Sequence, residues 1–404
     1  MRNSSLILWA AVLVAVACPC PKAQQPPDRR TQTVEKGLLP FNPNPQGKTV
    51  TPQRTFTLAE RMAEYKIPGV SVAIIDEGRI AWARGYGNRQ AGKDAPVTTD
   101  TLFEAASTTK MLTAVAALHF VEEGRLDLDK DVNGYLKSWK IPDSDLTRDH
   151  KVTLRFLLTH QSGLNGPKGG FSWEDGKVPT LVQVLKGEPP AQYKAAAIET
   201  IPGTTWQYSN FGYVVIQLLL EDMTGKPFPR LVNEVVFKPL TMESSTLVYP
   251  LTAGFAAREA LPHDPEGKAC EAVMHPVAVA QGGLITTPSD LARFAIELMG
   301  AYQGRSHRVL SQGMARLMFQ KELDLDPEIL GFPMGEGLGV LLRGSGQDLS
   351  FLHPGDNFPG ASCWLVGFPD RGQGAVIMTN GAKGNLLAME LLASIGREFR
   401  WPAT

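Results

Sequence analysis

An apolar run from Met111 to Val121 leads through two glutamates to Gly124. Apolar side chains on nearly every face predict a helix that is buried all round, and the glycine is a typical C-cap. The segment Ser107-Thr108-Thr109-Lys110 stands where this helix begins. Because residues i and i+3 share a helix face, Ser107 and Lys110 are expected about one turn apart on the same side.

This pair predicts nucleophilic chemistry. A serine hydroxyl becomes a good nucleophile when a base lies within hydrogen-bond reach, and a lysine among apolar neighbours loses its proton more easily. Ser107 would also lie at the positive end of the helix, where backbone N–H groups face a developing oxyanion. The spacing alone is weak evidence, since about one such match is expected by chance in roughly 400 residues. The alternative is an ordinary helix start with a solvated lysine.

Composition limits the class of protein. The chain has 404 residues, 43% hydrophobic and 20% charged, with a formal net charge of −1. These values predict a globular protein of one large or two coupled domains, and the near-neutral balance argues against a nucleic-acid partner. The seven histidines form no H-x-x-x-H or H-E-x-x-H pair, so we expect no metal and no other cofactor.

The N-terminus has the pattern of a targeting segment. Arg2 precedes an apolar stretch from Leu6 to Ala17 that is too short to span a bilayer. We expect a signal peptide over residues 1–17, cleaved after Ala17, and a chain exported to the periplasm or the extracellular space. A lipoprotein-type cleavage is the other route, and acylation of Cys18 would then tether the protein to a membrane.

Residues 18–53 are predicted to be a disordered tether, because Gln24 to Gln53 is rich in Pro, Gln and Asn. If cleavage precedes Cys18, the folded region keeps only Cys270 and Cys363. One disulfide between them and two free cysteines both remain open at this point.

The remaining chain, residues 54–404, reads as one discontinuous α/β domain. Apolar alternation predicts a hairpin around Asp76-Glu77-Gly78, and strands return at 337–342, 349–353, 362–368 and 374–379. An amphipathic helix is expected from about Asn385 to Phe399. The fold class is therefore an antiparallel sheet flanked by helices, with the sheet region at about 54–125 and 281–404. A mostly helical insert fills about 126–280, and the cleft between the two regions is the expected site.

Two further segments carry polar groups towards that cleft. Tyr208-Ser209-Asn210 precedes an apolar helix, and His353-Pro354-Gly355 ends a strand beside a glycine-rich turn. A tyrosine can hold or pass the proton of the serine if nearby cations favour its phenolate. An asparagine can accept from a lysine and donate to a substrate carbonyl. Tyr86-Gly87-Asn88 and Lys168-Gly169-Gly170 have similar spacings. We reject the first because it is predicted at a strand end, and the second because it is predicted in a flexible loop.

These motifs, in this order along the chain, resemble those of a known family. From about Ile67 to Phe399 it resembles class C serine β-lactamases, penicillin-binding D-Ala-D-Ala carboxypeptidases, family VIII esterases and D-aminopeptidases. Residues 157–164, which read Leu-Leu-Thr-His-Gln-Ser-Gly-Leu, are similar to a family block, with Gln161 differing. Residues 282–294 and the segments from Val366 and Thr379 are also similar to family blocks.

The resemblance implies a role for each site residue. Ser107 would be the acylated nucleophile, and Lys110 and Tyr208 would share the acid–base work as a coupled pair. Asn210 would orient Lys110 and the substrate. The oxyanion hole would be the backbone N–H groups of Ser107 and of Asp356, the residue after Gly355. His160 is expected to brace a loop.

The third motif departs from the β-lactamase pattern. Those enzymes usually have Lys-Thr-Gly, whereas here His353 replaces the lysine and Pro354 removes a hydroxyl and a backbone N–H. A partly charged His353 could still hydrogen-bond Tyr208 and complete a proton relay, or His353 could be purely structural.

We therefore expect an exported serine hydrolase that forms an acyl-enzyme on a small ester or amide, with β-lactam hydrolysis as a side activity at most. The alternatives are a β-lactamase, a D-Ala-D-Ala carboxypeptidase or D-aminopeptidase, and a slowly turning-over penicillin-binding sensor. A cationic side chain elsewhere in the cleft would favour the cell-wall enzymes, and Lys168 is a candidate. Phe171 and Trp173 could line an acyl pocket or simply pack on the surface. The oligomeric state is not predicted.

Overall fold

The predicted hairpin opens an eight-stranded antiparallel sheet in a computed structural model of the chain. The structure describes residues 28–41, 54–167, 171, 176–271, 277–327 and 333–402. The predicted signal peptide and Cys18 lie outside the described residues. Within the described ranges, no helix combines the length and the apolar composition needed to cross a membrane.

Within the part of the chain that the structure describes, ten strands fall into two sheets. The strand order in the large sheet is β2-β1-β10-β9-β8-β7-β6-β5, and β3 pairs with β4 apart from it. Their bounds are β1 Gly69–Asp76, β2 Arg79–Gly87, β3 Phe103–Glu104, β4 Ile285–Thr286, β5 Leu323–Leu325, β6 Met334–Glu336, β7 Leu341–Arg343, β8 Ser350–Asn357, β9 Ala361–Phe368 and β10 Gln373–Thr379. The N-terminal hairpin joins the C-terminal strands through β1 and β10, so the predicted discontinuous sheet is confirmed.

Helices cover both faces of the sheet and fill the insert. Their bounds are α1 Arg29–Lys36, α2 Leu58–Tyr65, α3 Thr109–Glu122, α4 Leu154–Leu158, α5 Leu181–Lys186, α6 Asn210–Thr224, α7 Phe228–Val232, α8 Lys238–Leu240, α9 Ala253–Ala256, α10 Pro288–Tyr302, α11 Gln312–Met318 and α12 Gly384–Phe399. A π-helical turn over Asn233–Phe237 links α7 and α8.

Strand β1 shows why the sheet is buried on both sides. Val70, Val72 and Ile74 belong to one apolar cluster with residues of α12 and α1, whereas Ala73 and Ile75 belong to the other cluster, with α10. Alternate side chains of a strand point to opposite faces, so every position of β1 up to Ile75 is buried. The sheet is thus the middle layer between helices.

The apolar helix that follows Ser107 is buried as predicted. Residues 109–118 of α3 are all buried, and α3 packs against α6 in the larger apolar cluster. Gly124 has φ +68°, the left-handed conformation that glycine adopts readily at a helix end. The pair β3 and β4 ties the chain just before this helix to the chain just after the insert.

One expectation is wrong in part. Within the predicted tether, residues 29–36 form α1, which packs against α12. Val34 and Leu38 are buried there, and the Ser394 hydroxyl donates to the Val34 carbonyl at 3.0 Å. The polar composition of residues 18–53 did not predict this helix, because two apolar residues are enough to stabilise it when a second helix covers them.

Candidate active site

Ser107 lies in a 3₁₀ turn, Ala106–Thr108, one turn before α3 rather than inside it. Ala106 has φ +47°, a left-handed conformation that costs a non-glycine residue about 1–2 kcal/mol. The Thr109 hydroxyl donates to the Ala106 carbonyl at 2.6 Å, and the Thr108 hydroxyl donates to the His353 carbonyl at 3.1 Å. The turn that carries Ser107 is therefore fixed both to α3 and to β8.

Lys110 is fully buried, and its Nζ lies 3.1 Å from Ser107 Oγ, 2.9 Å from Asn210 Oδ1 and 2.7 Å from the Gln281 carbonyl. Burial lowers the pKa of Lys110 well below its usual value. A neutral amine has two N–H groups and one lone pair. The Asn210 and Gln281 oxygens can only accept, so they take both N–H groups and leave the lone pair to accept from the Ser107 hydroxyl. This arrangement suits a general base.

Tyr208 and Asn210 are placed by the start of α6. Ser209 is its N-cap and accepts from the Gly212 N–H, and the Ser209 hydroxyl donates to the Asn165 carbonyl at 2.6 Å. Tyr208 Oη lies 2.8 Å from Ser107 Oγ. Desolvation raises the pKa of the Tyr208 hydroxyl, which favours the neutral phenol over a phenolate.

His160 supports this segment from behind the phenol ring. Its Nδ1 accepts from the backbone N–H of Ser209 at 3.1 Å, and its ring lies 4.3 Å from that of Tyr208. Burial, with Lys110 and His353 nearby, lowers the pKa of His160 well below its usual value. The ring is therefore neutral with its proton on Nε2. These contacts agree with the expected bracing role.

Strand β8 brings the third motif to Ser107. Only Ser350–Leu352 of β8 pair with β7, whereas 353–357 pair with β9 alone, so this half of β8 has one edge open towards the turn. A Cβ on Gly355 would lie 2.2 Å from the Ala105 carbonyl oxygen and 3.1 Å from the Ser107 nitrogen. Gly355 thus allows an approach that no other residue permits. The oxyanion hole at the Ser107 and Asp356 N–H groups stays a prediction.

The surroundings of His353 favour its neutral form. Burial, reinforced by Lys110, lowers its pKa to about 3. Its Nδ1 lies 2.7 Å from the Pro354 carbonyl, which can only accept, so the proton is on Nδ1 and Nε2 is a bare acceptor. The buried site therefore disfavours the partly charged imidazole that a proton relay through His353 would use.

The cleft beside Ser107 has a volume of about 240 Å³. It is lined by Ser107, His160, Trp206, Tyr208, Glu336, Leu341, His353, Pro354, Gly355, Asp356 and Asn385. Sequence reasoning missed Glu336 and Trp206, which lie outside the motifs. The available signal was a single carboxylate within the otherwise uncharged segment Pro333–Leu342. Burial raises the pKa of both Glu336 and Asp356.

No lysine or arginine is among the described residues that line this cleft. Lys168 and Trp173, two of the candidates, lie outside the described residues. Phe171 packs against Tyr193 and Phe211, with ring centroids at 5.3 and 5.5 Å, rather than lining the cleft. The rejected Tyr86 donates to Glu35 at 2.6 Å, away from Ser107. Both Cys270 and Cys363 are free.

Comparison with known proteins adds independent findings. A protein-family model described as Beta-lactamase matches residues 57–395. An unguisins hydrolase of Aspergillus campestris is 31% identical over 199 residues, 46% of this chain and 35% of that protein. Penicillin-binding protein 4 of Amycolatopsis lactamdurans is 27% identical over 330 residues, 79% of this chain and 82% of that protein.

Among solved structures, the octameric penicillin-binding protein homologue from Pyrococcus abyssi superposes with a TM-score of 0.65 at 25% identity. The match covers 84% of this chain and 77% of that one. The chain spans less than half the length of the unguisins hydrolases that it matches, 35% in one and 43% in another.

Proposed function

The chain belongs to the beta-lactamase family, and from the site described above we propose that it is a serine hydrolase working through an acyl-enzyme. The observation that carries the proposal is the position of Ser107 Oγ, 3.1 Å from a buried lysine Nζ and 2.8 Å from a tyrosine Oη. A hydroxyl held between a lone pair and a proton donor is equipped both to attack and to release a leaving group.

The steps follow from the protonation states. Ser107 Oγ bonds to the substrate carbonyl carbon while its proton passes to Lys110, and the carbonyl oxygen becomes an oxyanion facing the N–H groups of Ser107 and Asp356. When the bond to the leaving group breaks, Tyr208 gives its proton to that group and recovers one from Lys110. Water then attacks the acyl-enzyme with the same proton transfers in reverse, so Lys110 and Tyr208 end as they began.

The substrate that we propose is a small ester or amide without a carboxylate near the scissile bond. Two acidic side chains, Glu336 and Asp356, line the cleft, and His353 is neutral. Among the described lining residues there is no cation to bind an anionic substrate, and Pro354 has no hydroxyl. A carboxylate would lose its hydration there without gaining a charged partner. This reasoning favours esters over β-lactams.

The second candidate is a cell-wall peptidase or a β-lactamase. The observation in its favour is the similarity to Penicillin-binding protein 4 of Amycolatopsis lactamdurans over 79% of this chain. A slowly turning-over penicillin-binding sensor would use the same nucleophile but keep its acyl group. We also propose export through residues 1–17, with or without acylation of Cys18.

Steady-state rates on three substrates test these candidates: p-nitrophenyl butyrate, nitrocefin and D-alanyl-p-nitroanilide. Each is measured with the wild type, with Ser107→Ala and with Ser345→Ala, which alters an exposed serine. We expect the wild type and Ser345→Ala to hydrolyse the ester fast and nitrocefin slowly, and Ser107→Ala to lose this activity. We also expect that penicillin leaves no lasting label on the protein. Faster nitrocefin or D-alanyl turnover would support the second candidate, and a permanent penicillin label would support the sensor.

A further inference from the structure

Glu336 is a buried acid in the cleft that the proposed chemistry does not use. It ends β6, is 2% exposed, and lines the cleft together with Ser107 and Tyr208. Its Oε2 accepts from the Trp206 indole N–H at 3.0 Å, the only side-chain hydrogen bond that the described residues give it. A buried carboxyl that is only partly satisfied and borders a substrate cleft has capacity for a ligand.

The position of Glu336 assigns it to one side of the reaction. Trp206 and Tyr208 have ring centroids 6.3 Å apart, so the indole that holds Glu336 lies beside the phenol. In the proposed function Tyr208 protonates the leaving group. Gly355, in contrast, lies near the Ser107 nitrogen, since a Cβ on it would be 3.1 Å from that atom. Glu336 therefore borders the space of the leaving group rather than the oxyanion.

The surroundings of Glu336 suit a positive ligand. Trp206, Tyr208 and His160 present aromatic surfaces around the same end of the cleft, and aromatic faces attract ammonium groups. Tyr208, His160, His353 and Asp356 line the same cleft, and Tyr213 interacts electrostatically with Glu336; burial favours the neutral form of each. On the neighbouring strand side, the Glu322 backbone N–H donates to the Glu336 carbonyl, and the Glu322 carboxylate pairs with Arg155. Among the described residues that line the cleft there is no lysine or arginine to repel an incoming cation.

An incoming ammonium would also stabilise the ionised form of Glu336. Burial raises the pKa of Glu336 well above its usual value, because a carboxylate without a counter-charge is poorly solvated there. A cation within reach would stabilise the ionised form, and the carboxyl would release its proton on binding. Aromatic contact and charge pairing would then act together.

We propose that Glu336 is a specificity-determining residue that receives an ammonium group carried by the leaving group of the substrate. The inference rests on the proposed function for the identity of the leaving-group side. It narrows the substrate to esters or amides of amino alcohols or amines that keep a positive charge a few bonds from the scissile bond.

Butyrylcholine and 3,3-dimethylbutyl butyrate form a matched pair for the test, because they differ only in a quaternary nitrogen or a carbon. We expect wild-type kcat/KM to favour the cationic ester by about tenfold or more. The ratio should fall several-fold in Glu336→Gln, which keeps an acceptor for Trp206 and leaves only the aromatic contact to favour the cation. Glu243→Gln, which alters an exposed glutamate, should keep the wild-type ratio. A wild-type ratio near one, or an unchanged ratio in Glu336→Gln, would overturn the proposal.

Binding to Ser107→Ala, measured by calorimetry, separates this inference from the proposed function. The same two intact esters should bind with a similar preference for the cation even though no turnover occurs. If p-nitrophenyl butyrate is not hydrolysed by the wild type, the proposed function fails, and the binding preference still decides the role of Glu336. Equal affinity for both esters would overturn that role whether or not Glu336→Gln folds.

Discussion

Lys110 shows how a residue acquires its chemistry from burial. Ser107, Lys110, Tyr208 and Asn210 could be found from the sequence because they lie in short segments with fixed spacing. Their protonation states could not, because the desolvation of a buried group depends on what the whole fold packs around it. The sequence therefore left open whether Tyr208 is a phenolate and whether His353 is partly charged, and burial disfavours both charged forms.

The buried amine of Lys110 makes stability depend on pH. The pKa of Lys110 is lower in the folded state than the ordinary value of 10.5. Between the folded-state pKa and 10.5 the unfolded state binds more protons, so the free energy of unfolding rises with pH. Compared with Lys110→Met, the wild type should gain up to about 1.4 kcal/mol in free energy of unfolding per pH unit. Urea unfolding between about pH 7 and 9 measures this.

Lys238→Met, which alters an exposed lysine, is the control for that series. Its difference from the wild type should stay constant over the same pH range, because an exposed lysine has similar surroundings in both states. A constant difference for Lys110→Met as well would mean that Lys110 is solvated and charged, and would remove the argument for its lone pair.

Among the elements, long ones were predictable and short ones were not. Strand β9 and helix α12 lie within one residue of their predicted bounds, because eight or more residues display a clear period. The strand predicted at 337–342 coincides with β7 only at Leu341 and Leu342, and residues 337–340 form a turn between β6 and β7, which have only three residues each. Gly339 has φ +76° in that turn. Glu336 was missed for the same reason, since three residues show no alternation.

Helix α10 was missed although its signals were present. Thr287 is its N-cap, Pro288 occupies the first turn, and Asp290 donates its N–H to the Thr287 hydroxyl at 3.2 Å. Thr-Pro-x-Asp before an apolar-periodic segment is a recognisable helix start.

The contact between β8 and the Ser107 turn depends on the missing side chain of Gly355. In Gly355→Ala the new Cβ would lie 2.2 Å from a backbone oxygen, which cannot rotate away, so β8 has to move off Ser107. We expect kcat/KM on p-nitrophenyl butyrate to fall about 100-fold or more, as when an oxyanion donor is lost. The free energy of unfolding should fall by about 1–3 kcal/mol.

Gly254→Ala is the matched control for this change, because a Cβ there would meet no atom within 4 Å. It should leave both the rate and the stability close to those of the wild type. Retention of full activity by Gly355→Ala would show that the close approach of β8 is not needed for catalysis.

At the scale of the whole molecule, the two ends of the chain are held together. The Arg61 guanidinium of α2 bonds both oxygens of Glu390 in α12 at 2.7 Å, and both side chains are buried. The Phe41 N–H donates to Glu390 as well, at 3.0 Å. The sequence predicted that the first and last segments of residues 54–404 share a sheet. It did not predict that residues before 54 contact α12. Such long-range partners leave no local pattern.

The docking of α1 on α12 therefore sets where the folded domain starts. Burial of Val34 and Leu38 contributes about 1.5–3 kcal/mol each, and ordering the segment offsets part of this. A chain starting at Arg54 should consequently be less stable than one starting at Asp28, by about 2–4 kcal/mol. Val34→Asp in the full chain should have a similar effect, whereas Thr33→Asp, on the exposed side of α1, should not. If all of these chains had equal melting temperatures, the prediction of a disordered tether would stand. Helix α1 would then add nothing to the stability of the fold that carries the site.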